Sequence, residues 1–194
     1  MPTGTTVVLE LTQQHMNELA AHAERVYPEE CCGLMLGNLT PQTETVARSK
    51  QLLELVPLNN EWKPDILTAS RGVEVDTEKH DTTSAHFDTS GNSKKRRYWI
   101  DPKDMLRVQR EAREKGLNII GIYHSHPDHV AEPSECDRTL AWPEYAYIIV
   151  SVRKGKAVDV QNWALDSNHQ FQSEPMRLSS STTAQSATTK VLLS

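Results

Sequence analysis

The 194-residue chain contains no apolar run of membrane-spanning length, and it does not begin with the basic-then-apolar pattern of an export signal. Both absences argue against a helical membrane protein, and the chain is expected to act in the cytoplasm. Cysteine is scarce as well. Only Cys31, Cys32 and Cys136 are present, the count is odd, and the adjacent pair is badly placed to bridge itself, so a disulfide framework is not expected. Nor is there an excess of positive charge. With 26 acids against 21 bases the formal charge is -5, which favours solubility and argues against general affinity for nucleic acid. No internal repeat is present, and the length suits one well-cored domain with a tail.

What is present reads as a mixed α/β or α+β chain. TTVVLELT has the β-branched content of a strand. In the following TQQHMNELAAHAERVY, Met16, Leu19, Ala20, Ala23 and Val26 recur at helical spacing, with Thr12 as N-cap. CCGLMLG is a short apolar run closed by glycine, and ETVARSKQLLELVPL reads as extended chain. From 61 to 97 the composition turns to Asp, Thr, Ser, Lys and Gly, too long for an ordinary connection, and is read as an insertion; its end, Lys94 to Arg97, is read as a solvated charge run. PKDMLRVQREAREKG then gives a second helix with Pro102 near its start and Gly116 at its close. LNIIGIYH and YAYIIVSV are core strands, and AVDVQNWALD and HQFQ are peripheral antiparallel strands. From Arg177 the composition cannot bury enough apolar surface to order itself, so 177–194 is expected to be a disordered tail.

Chemistry concentrates in GIYHSHPDHVAEPSECD. His124 ends a strand and His126 follows two residues later, so the two imidazoles face the same way. Ser134 and Asp137 have the spacing of a capping box, with Ser134 as N-cap of a helix. Either feature alone has an ordinary structural meaning. Jointly, two neutral nitrogens and a carboxylate returning from a helix start form a ligand set suited to zinc, and three protein ligands leave the fourth tetrahedral position for water, as catalytic sites do.

HSHPDHVAEPSECD resembles the JAMM signature of the MPN-plus metalloproteases, His-x-His-Pro, six residues, Ser, two residues, Asp. PEECCGLMLG resembles the same family's Glu-x-Cys-Gly element and selects Glu30 over Glu29. The resemblance runs from about Val8 to Trp163 outside the insertion. It implies a single MPN/JAMM domain over 1–176, a mixed sheet flanked by helices in an architecture related to the cytidine deaminases. It also implies one zinc ion held by His124, His126 and Asp137, Glu30 as general base, and Ser134 as donor to the oxyanion of the tetrahedral intermediate. The activity implied is a zinc-dependent peptidase or isopeptidase cutting an amide near the C-terminus of a ubiquitin-like or sulfur-carrier protein. Its rivals are a non-catalytic MPN scaffold and a zinc deaminase, which needs His-x-Glu and Pro-Cys-x-x-Cys. Cys136 is a softer competitor to Asp137, but adjacent helical residues point about 100° apart, so one of them faces the metal. His129 is read as facing solvent or substrate, Ser125 as structural, and Cys31 and Cys32 as small hydrophobes.

Overall fold

The structure, a computed structural model, describes residues 7–41, 48–63 and 93–179. Strand β1 (Val8–Leu11) leads into Thr12, whose hydroxyl accepts from the His15 N–H at 3.2 Å while His15 Nδ1 accepts from the Thr12 N–H at 3.2 Å. This capping box starts α1 (Gln13–Val26) at the expected residue. There follow β2 (Cys32–Thr40), β3 (Ser49–Leu58), α2 (Pro102–Glu114), β4 (Asn118–Pro127), α3 (Glu135–Leu140), β5 (Ala146–Arg153), β6 (Lys156–Leu165), β7 (Phe171–Ser173) and β8 (Met176–Leu178). Asp101 caps α2 by accepting from the Lys103 N–H at 2.8 Å, Pro102 occupies the first turn, and Gly116 takes the left-handed φ of 70° just past its end.

The strands form one mixed sheet in the order β7-β6-β5-β4-β2-β3-β1-β8. Neighbours β2 and β3, β2 and β4, β5 and β6, and β6 and β7 are antiparallel, whereas β1 and β3, β1 and β8, and β4 and β5 are parallel. Helix α1 presses Leu19 and Ala23 onto one face, against Leu9, Leu11, Met35, Tyr123, Ile148 and Val150. On the other face α2 sets Val108 and Ala112 against Leu34, Leu36, Ile122 and Tyr147. The central strands are thus covered on both sides, which is why CCGLMLG, LNIIGIYH and YAYIIVSV read as continuous apolar runs. A bulge between β2 and β4 pairs Met35 with Gly121 and Leu36 with Ile119, leaving Ile120 as the extra residue and changing which side chains of β4 face α2.

Strands β7 and β8 lie at opposite ends of that order yet are separated only by Glu174 and Pro175. Three Cα steps reach about 11 Å at most, so the sheet has curled until its edges nearly meet. The seam is polar: Glu174 places its carboxylate 3.5 Å from Lys50 Nζ and accepts from Asn162 Nδ2 at 2.9 Å, all three residues being buried. Arg177 and Leu178, expected at the start of a disordered tail, instead end β8, whose backbone pairs with β1. Their ladder bonds outweigh a composition that buries little on its own. Most of the 61–97 insertion, 64–92, lies outside the described residues, as does the tail beyond Ser179.

Under α1, the His22 ring and the Tyr123 hydroxyl meet at 2.9 Å, both residues buried. Burial first, and the Arg25 charge second, push the His22 pKa down to about 4. The native state therefore resists a proton that the unfolded chain accepts near pH 6.5, so stability is fully present above that pH and is lost as pH falls toward 4. The loss is on the order of 3 kcal/mol. Urea midpoints measured across this window should fall for the wild type and fall less for His22→Asn, which retains an acceptor and cannot titrate.

Candidate metal centre

Strand β4 delivers the imidazoles. Cys32 of β2 pairs with His124, and on the other side β5 pairs Val150 with Ser125, Ser151 with His126 and Val152 with Pro127, which keeps the end of β4 extended. His124 and His126 consequently leave one face of the sheet, at the carboxyl end of the strand. The chain turns through Asp128, at φ 57°, and reaches Ser134. The Ser134 hydroxyl accepts from the Asp137 N–H at 3.2 Å, and Asp137 Oδ2 accepts from both the N–H and the hydroxyl of Ser134 at 2.6 Å. The capping box expected from sequence is present, and it orients the carboxylate back over β4.

His124, His126 and Asp137 offer donor atoms that all lie within 4.8 Å of one another. The shortest approaches are 3.1 Å from His124 Nε2 to His126 Nε2, 3.3 Å from His124 Nε2 to Asp137 Oδ1, and 3.6 Å from His126 Nε2 to Asp137 Oδ2, the carboxylate turning a different oxygen to each ring. Two donors about 2.05 Å from a tetrahedral ion stand roughly 3.3 Å apart. The spacing, together with the two-nitrogen, one-oxygen donor set, fits zinc. His126 Nδ1 lies 2.9 Å from the Val130 carbonyl, which can only accept, so Nδ1 carries the proton and Nε2 turns its lone pair inward. The buried Nδ1 of His124 has no hydrogen-bond partner among the described residues; its ring is held by Tyr98, stacked at 4.5 Å between centroids and 25° between planes.

The charge states also suit a cation. Burial pushes the His124 pKa down against the pull of Asp137, leaving a neutral ring. Burial opposes the charge of Asp137 too, yet interactions with His124, His126 and Ser134 hold its carboxyl well below the usual range. Glu30 is 4 % exposed, whereas Glu29 is on the surface. The pairing of Cys32 with His124 continues to Cys31 beside Ser125, where the Ser125 N–H donates to the Cys31 carbonyl at 3.1 Å and the Cys31 N–H donates to Ser125 Oγ at 2.9 Å. Glu30 precedes this last pair, where the ladder has ended. Burial first and the Asp137 charge second push the Glu30 carboxyl well above its usual range, while Arg97 and Arg96 pull it down.

Other residues singled out in the sequence fall around this group. His129 is exposed and accepts from Arg96 Nη2 at 2.7 Å. Cys136 is half-buried beside the guanidinium of Arg97, and Cys31 and Cys32 are buried free thiols, the former pushed up to about 11 by burial. The reading of Lys94–Arg97 as a solvated charge run holds for exposed Lys95 and Arg96 and is corrected at Arg97. The Lys94 carbonyl accepts from the Glu30 N–H at 2.7 Å, and half-buried Arg97 lies 5.5 Å from the centre of the Trp62 ring. The turn is basic, but its backbone is built into the site. Tyr98 escaped sequence reasoning, although an aromatic pair closing a polar insertion, as in YWIDP, is a usable signal of a return to the core.

Residues 12–166 match the family of prokaryotic homologs of the JAB domain. The chain belongs to that family. Its JAB domain is 33 % identical over 78 residues to the desampylase of Haloferax volcanii, a match covering 39 % of this chain and 56 % of the relative. Thus the matched stretch spans little over half of that relative's length. It is 26 % identical over 151 residues to the CysO-cysteine peptidase of Mycobacterium tuberculosis, covering 77 % of each chain. Among solved structures, one from Desulfitobacterium hafniense superposes with a TM-score of 0.59 at 24 % identity, covering 89 % of this chain and 92 % of that one, and shares the fold. A protein from Salinibacter ruber gives 0.56 at 26 % identity, covering 88 % and 92 %. No helix among the described residues of the JAB domain is long and apolar enough to cross a membrane.

This donor set predicts that Asp137→Ala, which removes one donor and the closing group of the α3 cap, abolishes stoichiometric zinc uptake. Tyr98→Ala, which frees the His124 ring, should weaken zinc binding about tenfold while Tyr98→Phe leaves it near wild type. Competition titration with a chromogenic chelator reads both.

Proposed function

We propose that this JAB domain is a zinc-dependent peptidase or isopeptidase, with His124, His126 and Asp137 holding the ion. The observation that carries the reading is the buried group of two imidazole nitrogens and a carboxylate, with a second buried carboxylate, Glu30, near enough to feel the Asp137 charge. Bound there, zinc supplies a Lewis acid and lowers the pKa of a coordinated water. Glu30 takes the proton of the attacking water and returns it to the leaving amine. Its raised affinity for protons, caused by burial, is what a group that must hold and then release one requires. Ser134 donates its hydroxyl to the oxyanion. In the resting arrangement that hydroxyl donates to Asp137 Oδ2, and when it rotates toward substrate the Ser134 N–H still holds the same oxygen at 2.6 Å. The cap therefore survives while the hydroxyl changes partner.

The substrate is an amide near the C-terminus of a ubiquitin-like or sulfur-carrier protein. Support comes from the JAMM-like signature and from the relatives whose names are desampylase and CysO-cysteine peptidase. Zinc-loaded protein incubated with a panel of such carriers extended at their C-termini should release the extension, read by intact mass, and a chelator should stop it. Absence of cleavage across the panel at full zinc occupancy rejects the reading. Glu30→Gln should retain zinc and lose kcat by roughly two to four orders of magnitude. A zinc-loaded Glu30→Gln enzyme with near-normal turnover removes Glu30 from the mechanism.

A further inference from the structure

Asn60, just past the end of β3, is 8 % exposed, and both ends of its side-chain amide are used twice. Nδ2 donates to the carbonyls of Glu30 at 3.1 Å and Arg97 at 2.9 Å. Oδ1 accepts from the N–H groups of Trp62 at 3.0 Å and Trp99 at 3.2 Å. Three stretches distant in sequence, the entry to β2, the exit from β3 and the approach to α2, meet on this one side chain. A main-chain bond from the Glu61 N–H to the Trp99 carbonyl at 3.0 Å ties the last two together.

Glu30 lies before the first ladder pair of β2, so the sheet does not fix its backbone. Its N–H is taken by the Lys94 carbonyl at 2.7 Å and its carbonyl by Asn60 at 3.1 Å. We propose that Asn60 is the positioning residue for Glu30. By clamping the Glu30 carbonyl and the turn that holds the Glu30 N–H, it sets where that carboxylate stands relative to His126 and Asp137. The inference rests on the role given to Glu30 above. Asparagine is the side chain this junction demands: two donors for two carbonyls and an oxygen for two N–H groups, at short reach. Aspartate keeps the shape and the acceptor but has no donor, and it turns a negative charge on both carbonyls.

The test is Asn60→Asp, with Asn60→Ala alongside it should the first fail to fold. In the zinc-loaded protein, amide exchange at Glu30 should accelerate at least tenfold in the variant, while amides of β4 and β5 stay within about twofold of wild type. Turnover should fall at least tenfold with KM and zinc content within about twofold. In a Glu30→Gln background, under single-turnover conditions, Asn60→Asp should cost nothing further, because its effect passes through a carboxylate already removed. A folded, zinc-loaded variant with wild-type kcat overturns the proposal. So does an equal loss in the Glu30→Gln background, which marks a general effect on the fold. If the wild-type protein cleaves no substrate, the catalytic reading fails separately, and exchange alone decides: unchanged protection of the Glu30 amide in the variant rejects the positioning role.

Discussion

Ser125 and Cys31 exchange two hydrogen bonds, the Ser125 N–H to the Cys31 carbonyl and the Cys31 N–H to the Ser125 hydroxyl, where the β2–β4 ladder ends. Much of the site depends on that pair. Cys31 lies in the α1-side core with Tyr123, and Leu34 lies in the α2-side core with Ile122, so the register assigns each side chain of β2 and β4 to one face or the other. A slip of one residue would turn His124 and His126 into the apolar packing under α1, onto the face that Cys31 occupies. Ser125, lying between the two histidines in sequence, thus locks the strand on which both sit. Its hydroxyl replaces the next backbone rung, which lets the chain diverge toward Glu30 without leaving the Cys31 N–H unsatisfied in the interior.

Asp137 joins secondary structure to chemistry. One oxygen closes the cap of α3 and the other faces His124, so the helix start and the His124–His126–Asp137 group share a carboxylate. A helix of six residues has little stability of its own, and here its first turn is held by the same side chain that the histidines attract. Ordering of α3 and completion of that group are consequently coupled: whatever stabilises one stabilises the other.

The parts of this arrangement that sequence disclosed are those encoded by short-range periodicity. His-x-His at a strand end follows from the two-residue repeat, the Thr12 and Ser134 caps from fixed spacing, and the helix over 102–114 from Pro102, Val108, Ala112 and Gly116. What escaped is long-range. Asn60 reads as an ordinary polar residue at a strand exit, and nothing local announces that its amide reaches 30 residues back and 37 forward. Tyr98 on His124 and the Val130 carbonyl on His126 are tertiary contacts of the same kind. In Lys94–Arg97 the charge pattern foretold exposed Lys95 and Arg96, but not the Lys94 carbonyl on Glu30 or Arg97 over Trp62. Arg177 and Leu178 misled because strand pairing with β1 supplies order that composition does not show.

The curled sheet sets an order of assembly during synthesis. β8 is the neighbour of β1, with Met176 opposite Leu9, and Glu174 seals the seam against Lys50 and Asn162. A nascent chain can raise β2, β3 and β4 and seat α1 early, but β1 keeps an unpaired edge until the segment past Pro175 has left the ribosome. Lys50 waits as long for its carboxylate. Strand β8 therefore closes the sheet against β1 only after the strands between them have been made, so the growing polypeptide carries an open strand edge, exposed to neighbouring chains, until that segment emerges.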